Sequence, residues 1–532
     1  KIKRNVRSLH ERIFFRPLLA AVSTLSRDEV VLSEQAAQDR LAALGYRDPR
    51  GAMRHIKALT TGLSRSADIQ RHLMPVLLGW FARGVDADAG LLGFRIVSES
   101  LGSTSWYLRM LRDSPAAAER LSQLLSSSRP MTDLLEDASA SIAWLDKVAD
   151  LKPLGEEALA SEISSLLARH ADAAEAMRAV RYLRRRETLR TAMGWTLGIV
   201  DVEDTCAGLA AIDECTIGAA LQIALRELQA APEGAEPADA EATAGEKLLT
   251  RIAVIGMGRL GGAENGFGSD ADVMFVHEPL DGADEDAAQE QAARIVNRTL
   301  TLLKQPVKPA IRAERPLEVD ADLRPEGKQG AIVRSLDSYR SYYERWAETW
   351  EFQALTRARP IAGDEALGEA FVELIDPYRY PATFTPEQVQ QIRRMKARVE
   401  NERMPHGADR TRQLKLGRGG LSDVEWLVQL VQLRHAHAVP GLRTTSTLKA
   451  LNAAVEAGLV EAADAEILSG AWLLATKIRG GNVLRGVRQS DTLPSGRADL
   501  EAIARWCGYP AGSARALEED YLRQTRNARK VY

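Results

Sequence analysis

The sequence predicts an α+β fold, mostly α-helical, with a small mixed β-sheet at its centre. Three observations predict it. Long stretches rich in Ala, Leu, Gln and Arg carry apolar residues at helical spacing on both sides of a central segment. That central segment holds short β-branched apolar runs bounded by Gly and Pro. A Pro/Gly/Ala/acidic stretch at 230–246, too polar to build a core, separates the two regimes.

Residues 1–150 read as helices with no strand-like alternation. The stretch 33–44 stops at Gly45-Tyr46-Arg47-Asp48-Pro49, where Asp48 suits an N-cap and Pro49 a first helical position. Helical spacing continues over 51–59, 69–80 and 90–101, with a break at Ser126-Ser127-Ser128-Arg129-Pro130. Residues 155–230 are also helical; Arg178, Arg181, Arg184, Arg185, Arg186 and Arg190 read there as a solvated basic face. Strands are expected at 251–255, 273–276 and 317–320, with a helix over 287–303 between the second and third. From Ser335 onward the chain reads as helical, and Thr385-Pro386-Glu387-Gln388 carries a cap, a first-position Pro and a capping-box Gln. The expected organisation is a helical region at 1–150, a helical lead-in at 151–245, a sheet-bearing core at 246–365 and a helical bundle at 366–532.

Composition narrows the function. A chain of 532 residues with 45% hydrophobic content buries several cores. Its net charge of −3 gives no basic field for DNA or RNA, so no nucleic-acid partner is expected. Cys206, Cys215 and Cys507 are scattered, which fits reduced cytoplasmic thiols better than a disulfide framework or a zinc site. No apolar run reads as a membrane span. The opening Lys1-Ile2-Lys3-Arg4 and the charged, helix-like end suggest a piece of a longer protein.

The chemistry concentrates in Gly268-Ser269-Asp270-Ala271-Asp272, which runs into the second strand. Strand side chains alternate, so Asp270 and Asp272 should share a face and offer hard oxygen ligands to Mg²⁺ or Mn²⁺. Upstream, Gly256-Met257-Gly258-Arg259-Leu260-Gly261 matches GxGxxG after a strand. A dinucleotide fold would need a long helix and a single acid about 20 residues on. The paired acids arrive too early, and two further glycines intervene. The alternative is a nucleoside-triphosphate site. Gly258, Gly261 and Gly262 would let the backbone approach phosphates, Ser269 would add a hydroxyl donor, and Asp320 would be the third carboxylate. Asp322, two residues on, competes with Asp320 for that role. Arg324 and Lys328 follow as candidate triphosphate contacts, and Lys415 and Arg418 lie in a second Gly-rich basic turn. Asp423 and Glu425 are expected to orient those cations, Glu351 and Arg357 to pair below the site, and His277, Trp472 and Trp506 to be structural.

This arrangement of strand, glycine turn, paired acids and third acid resembles the polymerase-β-like nucleotidyltransferases. More specifically, Gly256–Glu264 closing in Ser269-Asp270-Ala271-Asp272 resembles the signature of the glutamine synthetase adenylyltransferase family. So do the blocks Asp320-Ala321-Asp322-Leu323-Arg324-Pro325-Glu326-Gly327, Trp350-Glu351-Phe352-Gln353-Ala354-Leu355 and Lys415-Leu416-Gly417-Arg418-Gly419-Gly420. Asn265 stands where the family usually has an aliphatic residue, and Asp322 where it often has a base. The resemblance implies ATP as substrate, a tyrosine of glutamine synthetase as AMP acceptor, and regulation by the PII protein and glutamine. Phe15-Arg16-Pro17-Leu18-Leu19, Gly45–Pro49 and Leu73-Met74-Pro75-Val76-Leu77-Leu78 resemble the helical linker before the C-terminal, adenylylating half. The alternatives are phosphorolytic removal of the same AMP, or a scaffold that binds ATP without transfer.

Overall fold

The computed structural model describes residues 27–62, 65–101, 104–230, 245–311, 314–487 and 491–532. The expected Phe15–Leu19 block and residues 231–244 of the polar stretch lie outside them.

Helices begin where the sequence supplies caps. Asp48 accepts the Gly51 N–H at 2.8 Å and opens Pro49–Thr60, with proline in the first turn. Ser128 makes the break at 126–130 real: it ends Pro115–Ser127 and caps Arg129–Asp137. Thr385 and Gln388 form a reciprocal capping box at the start of Pro386–Glu402.

The sheet has five strands: β1 (Thr250–Gly256), β2 (Ala271–Pro279), β3 (Val319–Asp320), β4 (Val333–Ser335) and β5 (Arg359–Gly363). β1 pairs antiparallel with β2 and β5, while β2 takes β3 and β4 in parallel, one after the other along its far edge. Both faces are covered, which is why β1 and β2 read as unbroken apolar runs. Ile252, Val254, Val273 and Phe275 pack with Ala220, Ile223, Ile295 and Val296 of the helices Val202–Gln229 and Glu285–Lys304. Ala253, Ile255, Met274 and Val276 pack on the opposite side with Tyr339, Tyr343, Leu367 and Phe371. The expected all-helical reading after Ser335 is corrected by β5. Its five residues include Pro360 and it sits at the sheet edge, where a proline is tolerated but strand periodicity cannot show. β4, at three residues, is too short to leave a pattern.

The expected solvated basic face is corrected, and burial accounts for the one span-like helix among the described residues. Val202–Gln229 is long and apolar enough to cross a membrane by length and composition, but its apolar stretch is 72% buried inside the protein, so its apolarity is spent on the core. The arginines of Ala173–Thr196 are not a solvated face. Arg181 is 4% exposed, donates to the carbonyls of Leu302, Leu303 and Gln305 and pairs with Glu314. Arg184 pairs with Asp213, Arg185 with Asp137, and Arg186 with Glu162. Arg190 pairs with Glu187 and lies 3.8 Å over the Trp144 ring. The helix is a charged spine joining the N-terminal helices to the sheet region.

Candidate active site

The site begins with the parallel pairing of β2 and β3. The Ala271 N–H donates to the Glu318 carbonyl at 2.8 Å, and the register sets Asp272 directly beside Asp320. Asp270 immediately precedes β2. Carboxylate oxygens of Asp270, Asp272 and Asp320 all lie within 4.8 Å of one another. Burial, then the charges of Asp270 and Asp320, push the Asp272 carboxyl up to about 6, against the pull of Lys415 and Arg403. Three acids this close strain against each other unless a cation lies between them, and an all-oxygen donor set suits a hard divalent ion. Asp322 does not join them. Its carboxylate faces Lys328 at 3.3 Å and Arg324 at 3.6 Å, while its N–H donates to Asp320 at 2.7 Å.

The glycine turn is fastened to this cluster. The Met257 N–H donates to the Asp272 carbonyl at 2.8 Å. Gly258 has φ of +51°, and a Cβ there would lie 2.2 Å from an Asp272 carboxylate oxygen. Only glycine lets the turn pass so close. Gly261 and Gly262 owe their identity to packing within the protein. A Cβ on Gly261 would lie 1.9 Å from the Arg357 carbonyl, and one on Gly262 2.2 Å from its guanidinium. Ser269 Oγ accepts the Gly266 N–H at 3.1 Å, which closes the turn before Asp270 and leaves its own proton to donate.

Behind the turn lies a clamp. Arg357, 4% exposed, donates to the Gly258 carbonyl at 3.0 Å and to Thr447 Oγ1 at 2.7 Å, and pairs with Glu264. Glu264 in turn accepts from the N–H and hydroxyl of Thr447, at 2.6 and 2.9 Å. The expected Glu351–Arg357 pair is therefore corrected: Glu351 accepts the Glu348 N–H and the Tyr342 hydroxyl and caps its own helix, Thr349–Leu355. Asn265 is buried and donates to Asp213, which also holds Arg184.

Comparison with known proteins bears on this geometry. Residues 118–374 match the family model for glutamate-ammonia ligase adenylyltransferase, and residues 393–532 match that for GlnD PII-uridylyltransferase. The chain is 49% identical over 538 residues to the bifunctional glutamine synthetase adenylyltransferase/adenylyl-removing enzyme of Leifsonia xyli subsp. xyli, covering 100% of this chain and 51% of that protein. The chain belongs to the glutamate-ammonia ligase adenylyltransferase family. Enzymes of the same printed name from Streptomyces avermitilis and Mycobacterium leprae are 49% and 42% identical, over 99% of this chain and 52% of theirs. The chain spans about half the length of the curated relatives it matches.

Within this adenylyltransferase-family chain the remaining candidates divide. Lys415 is exposed, and its charge acts to lower the Asp272 carboxyl. Arg418 is exposed on the neighbouring turn. Asp423 does not orient either of them. Fully buried, it accepts the Gly419 N–H at 2.6 Å and pairs with Lys396 and Arg529. Glu425 lies 3.9 Å from Arg259 and accepts from the Trp472 indole. The Arg324 guanidinium is occupied by the carbonyls of Ala321, Gly330 and Lys328, which it gathers into one loop. Lys328 is exposed. His277 is buried between Thr250 and Gln289, a structural place. Trp472 is in the core, whereas Trp506 sits half-buried where two helical cores meet.

Proposed function

We propose that this chain moves AMP from ATP to a tyrosine hydroxyl of glutamine synthetase, in the cytoplasm, under control of the PII protein and glutamine. The observation that carries the reading is the Asp270–Asp272–Asp320 cluster, three carboxylates within 4.8 Å beside a glycine turn. The relatives' printed names point to the same transfer and the same protein substrate. For the adenylylating direction the support is the resemblance of Gly45–Pro49 and Leu73–Leu78 to the linker before that half.

Asp270, Asp272 and Asp320 would hold divalent cations, Mg²⁺ or Mn²⁺. Such ions supply charge neutralisation on the triphosphate and lower the pKa of a nearby hydroxyl. The chain's own groups do the rest. Ser269 and the Gly258–Gly262 turn orient the triphosphate, and Lys415 and Arg418 add positive charge from the facing turn. Arg324 and Lys328 flank the loop after Asp320. Asp320 accepts the phenolic proton as the tyrosine oxygen bonds to the α-phosphorus, the bond to the β-phosphate bridge breaks, and pyrophosphate leaves with its electron pair.

The test is glutamine synthetase incubated with this chain, Mg²⁺ and ATP labelled at the α-phosphate. Label on tyrosine is expected. Asp320→Asn should abolish it, while Asp322→Asn should retain more than about a tenth of the rate, since Asp322 is held by Lys328 and Arg324. No label from the wild type, or equal loss in both variants, overturns the reading. Phosphate-dependent release of ADP from modified synthetase would assign the reverse direction.

A further inference from the structure

The sheet ends at β3. Its order is β3–β2–β1–β5, with β4 also on β2, so β3 bonds a neighbouring strand on one side only. A cavity of about 710 Å³ runs along the other side. Every residue from Pro316 to Asp322 lines it, together with Leu300 and Lys304 of the helix Glu285–Lys304 and Ile332 of the loop before β4.

The strand pattern outlasts the two residues that pair. Leu317, Val319 and Ala321 are buried in the core beneath the sheet, while Glu318 is exposed and Asp320 and Asp322 are half-buried. This period of two is that of an extended chain. A cavity touches both sets at once along the edge, where the backbone is presented. That backbone has hydrogen bonds to give. The Ala271 N–H donates to the Glu318 carbonyl, so Glu318 and Asp320 turn their peptide groups to β2 and Val319 turns its own outward. Among the described residues nothing off the ladder bonds the N–H or C=O of Val319. Such an edge is a template for another strand.

The cavity also meets the acids from one side. Asp270 and Asp320 line it; Ser269, the Gly258–Gly262 turn and Lys415 do not. The space open to an acceptor is thus separate from the turn that would hold the triphosphate.

We propose that the outer edge of β3 docks the protein substrate: an extended segment carrying the acceptor tyrosine adds to the sheet as a strand beside β3, with its ring on the face that holds Asp320. This placement rests on the reading of Asp270, Asp272 and Asp320 as the transfer site. An added strand lies about 4.8 Å from β3, and its side chains on Asp320's face stand roughly 5–8 Å from that residue, opposite or diagonal. An aromatic side chain spans that gap. The hydroxyl of a serine or threonine, one bond from Cβ, does not, so the edge selects tyrosine by reach. Space suffices, since about 150 Å³ already holds a benzene ring.

The test uses the full chain and the peptide acetyl-Thr-Val-Thr-Tyr-Thr-Val-Thr-amide, with the ¹H–¹⁵N resonance and hydrogen exchange of Val319 followed. A saturable shift with about tenfold slower exchange at Val319 is expected, as one hydrogen bond forms there. Two N-methylated peptides fix the geometry. Methylating the tyrosine N–H and every second one from it blocks a parallel strand; methylating the others blocks an antiparallel one. Loss of binding with one set alone is expected, and its identity gives the strand's direction. Binding that survives both methylations or neither, or no saturable shift at all, overturns the proposal. So does protection of residues 316–322 that rises with the concentration of the chain alone, which assigns the edge to a second copy. In the intact reaction, Val319→Pro removes the outward N–H and keeps the Glu318 bond to β2, a change that an edge strand tolerates. It should raise KM for glutamine synthetase about tenfold and leave KM for ATP unchanged. An unchanged KM for the synthetase overturns the docking. Peptide binding does not use AMP transfer, so failure at the edge is separate from failure of the proposed reaction.

Discussion

Two charged clusters lie on either side of the Gly258 turn, and they are built by opposite rules. On one side Asp270, Asp272 and Asp320 crowd together, with Asp272 pushed up to about 6 by burial and by its two neighbours. On the other, Glu264 and Arg357 are buried, where Asp270 is exposed and Asp272 and Asp320 are half-buried, but every charge meets its opposite and Thr447 takes the remaining lone pairs. The first arrangement is costly in the empty protein and gains value when a cation and phosphates enter. The second holds position: it pins the Gly258 carbonyl and fills the space beside Gly262, so the turn cannot drift from the acids. Chemistry and geometry are thus divided between two faces of the Gly258–Gly262 turn.

The strongest way to break this division is Arg357→Met. It leaves Glu264 buried without its cation, which should cost about 3–5 kcal/mol in denaturant unfolding. Pairing it with Glu264→Met should recover much of that loss, because the penalty is the orphaned charge and not the missing attraction. If the double variant is no more stable than the single one, the clamp is not an isolated pair. Next comes Asp272→Asn. It should lower AMP transfer by on the order of 10³-fold, about 4 kcal/mol of barrier, since a cation-holding carboxylate is lost. Unlike the clamp variants it should not destabilise the cation-free protein, and a lower melting temperature would contradict the reading of Asp272 as strained.

The third follows from titration. Asp272 has a folded pKa raised from 3.8 to about 6. A raised acid favours folding in its protonated form, so its contribution is fully present below about 4 and is lost as pH rises through 6. Without divalent cation the wild type should therefore gain stability between pH 7.5 and 5, relative to Asp272→Asn, by at most about 1.5 kcal/mol, half of the full effect reached below about pH 4. Saturating Mg²⁺ should flatten that difference by favouring the ionised acid. An unchanged profile with and without Mg²⁺ would remove Asp272 from the cation site.

The same contrast explains what the sequence disclosed. The acidic cluster was legible because Asp270 and Asp272 are two residues apart at a strand start, and β1 and β2 announce themselves as doubly buried apolar runs. The third acid was legible only as a choice between two residues; in the fold Asp320 sits in register with Asp272, while Asp322 turns to Lys328. The clamp was not legible, because Glu264 and Arg357 are 93 residues apart and nothing local marks them as partners. Glu351 looked like the closer partner but is consumed by its own helix cap. The arginine-rich helix was misread for the same reason. Composition shows six cations, while the acceptors of five of them, from Asp137 to Glu314, are scattered along the chain. Local pattern reveals elements and repeated chemistry; long-range pairing is written in no local pattern.

The smallest effect is expected at Ser269, which belongs to both sides. Its Oγ accepts the Gly266 N–H and so closes the turn, yet its proton is free to reach a phosphate. Ser269→Ala should cost about 1 kcal/mol of stability from the lost turn bond, and a separate rise of roughly fivefold in KM for ATP from the lost donor. Ser269→Thr keeps the hydroxyl and should restore both if the buried turn admits the extra methyl. A variant that loses stability with KM unchanged would place Ser269 wholly with the clamp, as a group that shapes the turn and never touches the nucleotide. A change in KM without loss of stability would place it wholly with the acids. The intermediate result is the one the geometry favours, since the acceptor and donor capacities of a single hydroxyl point to different partners.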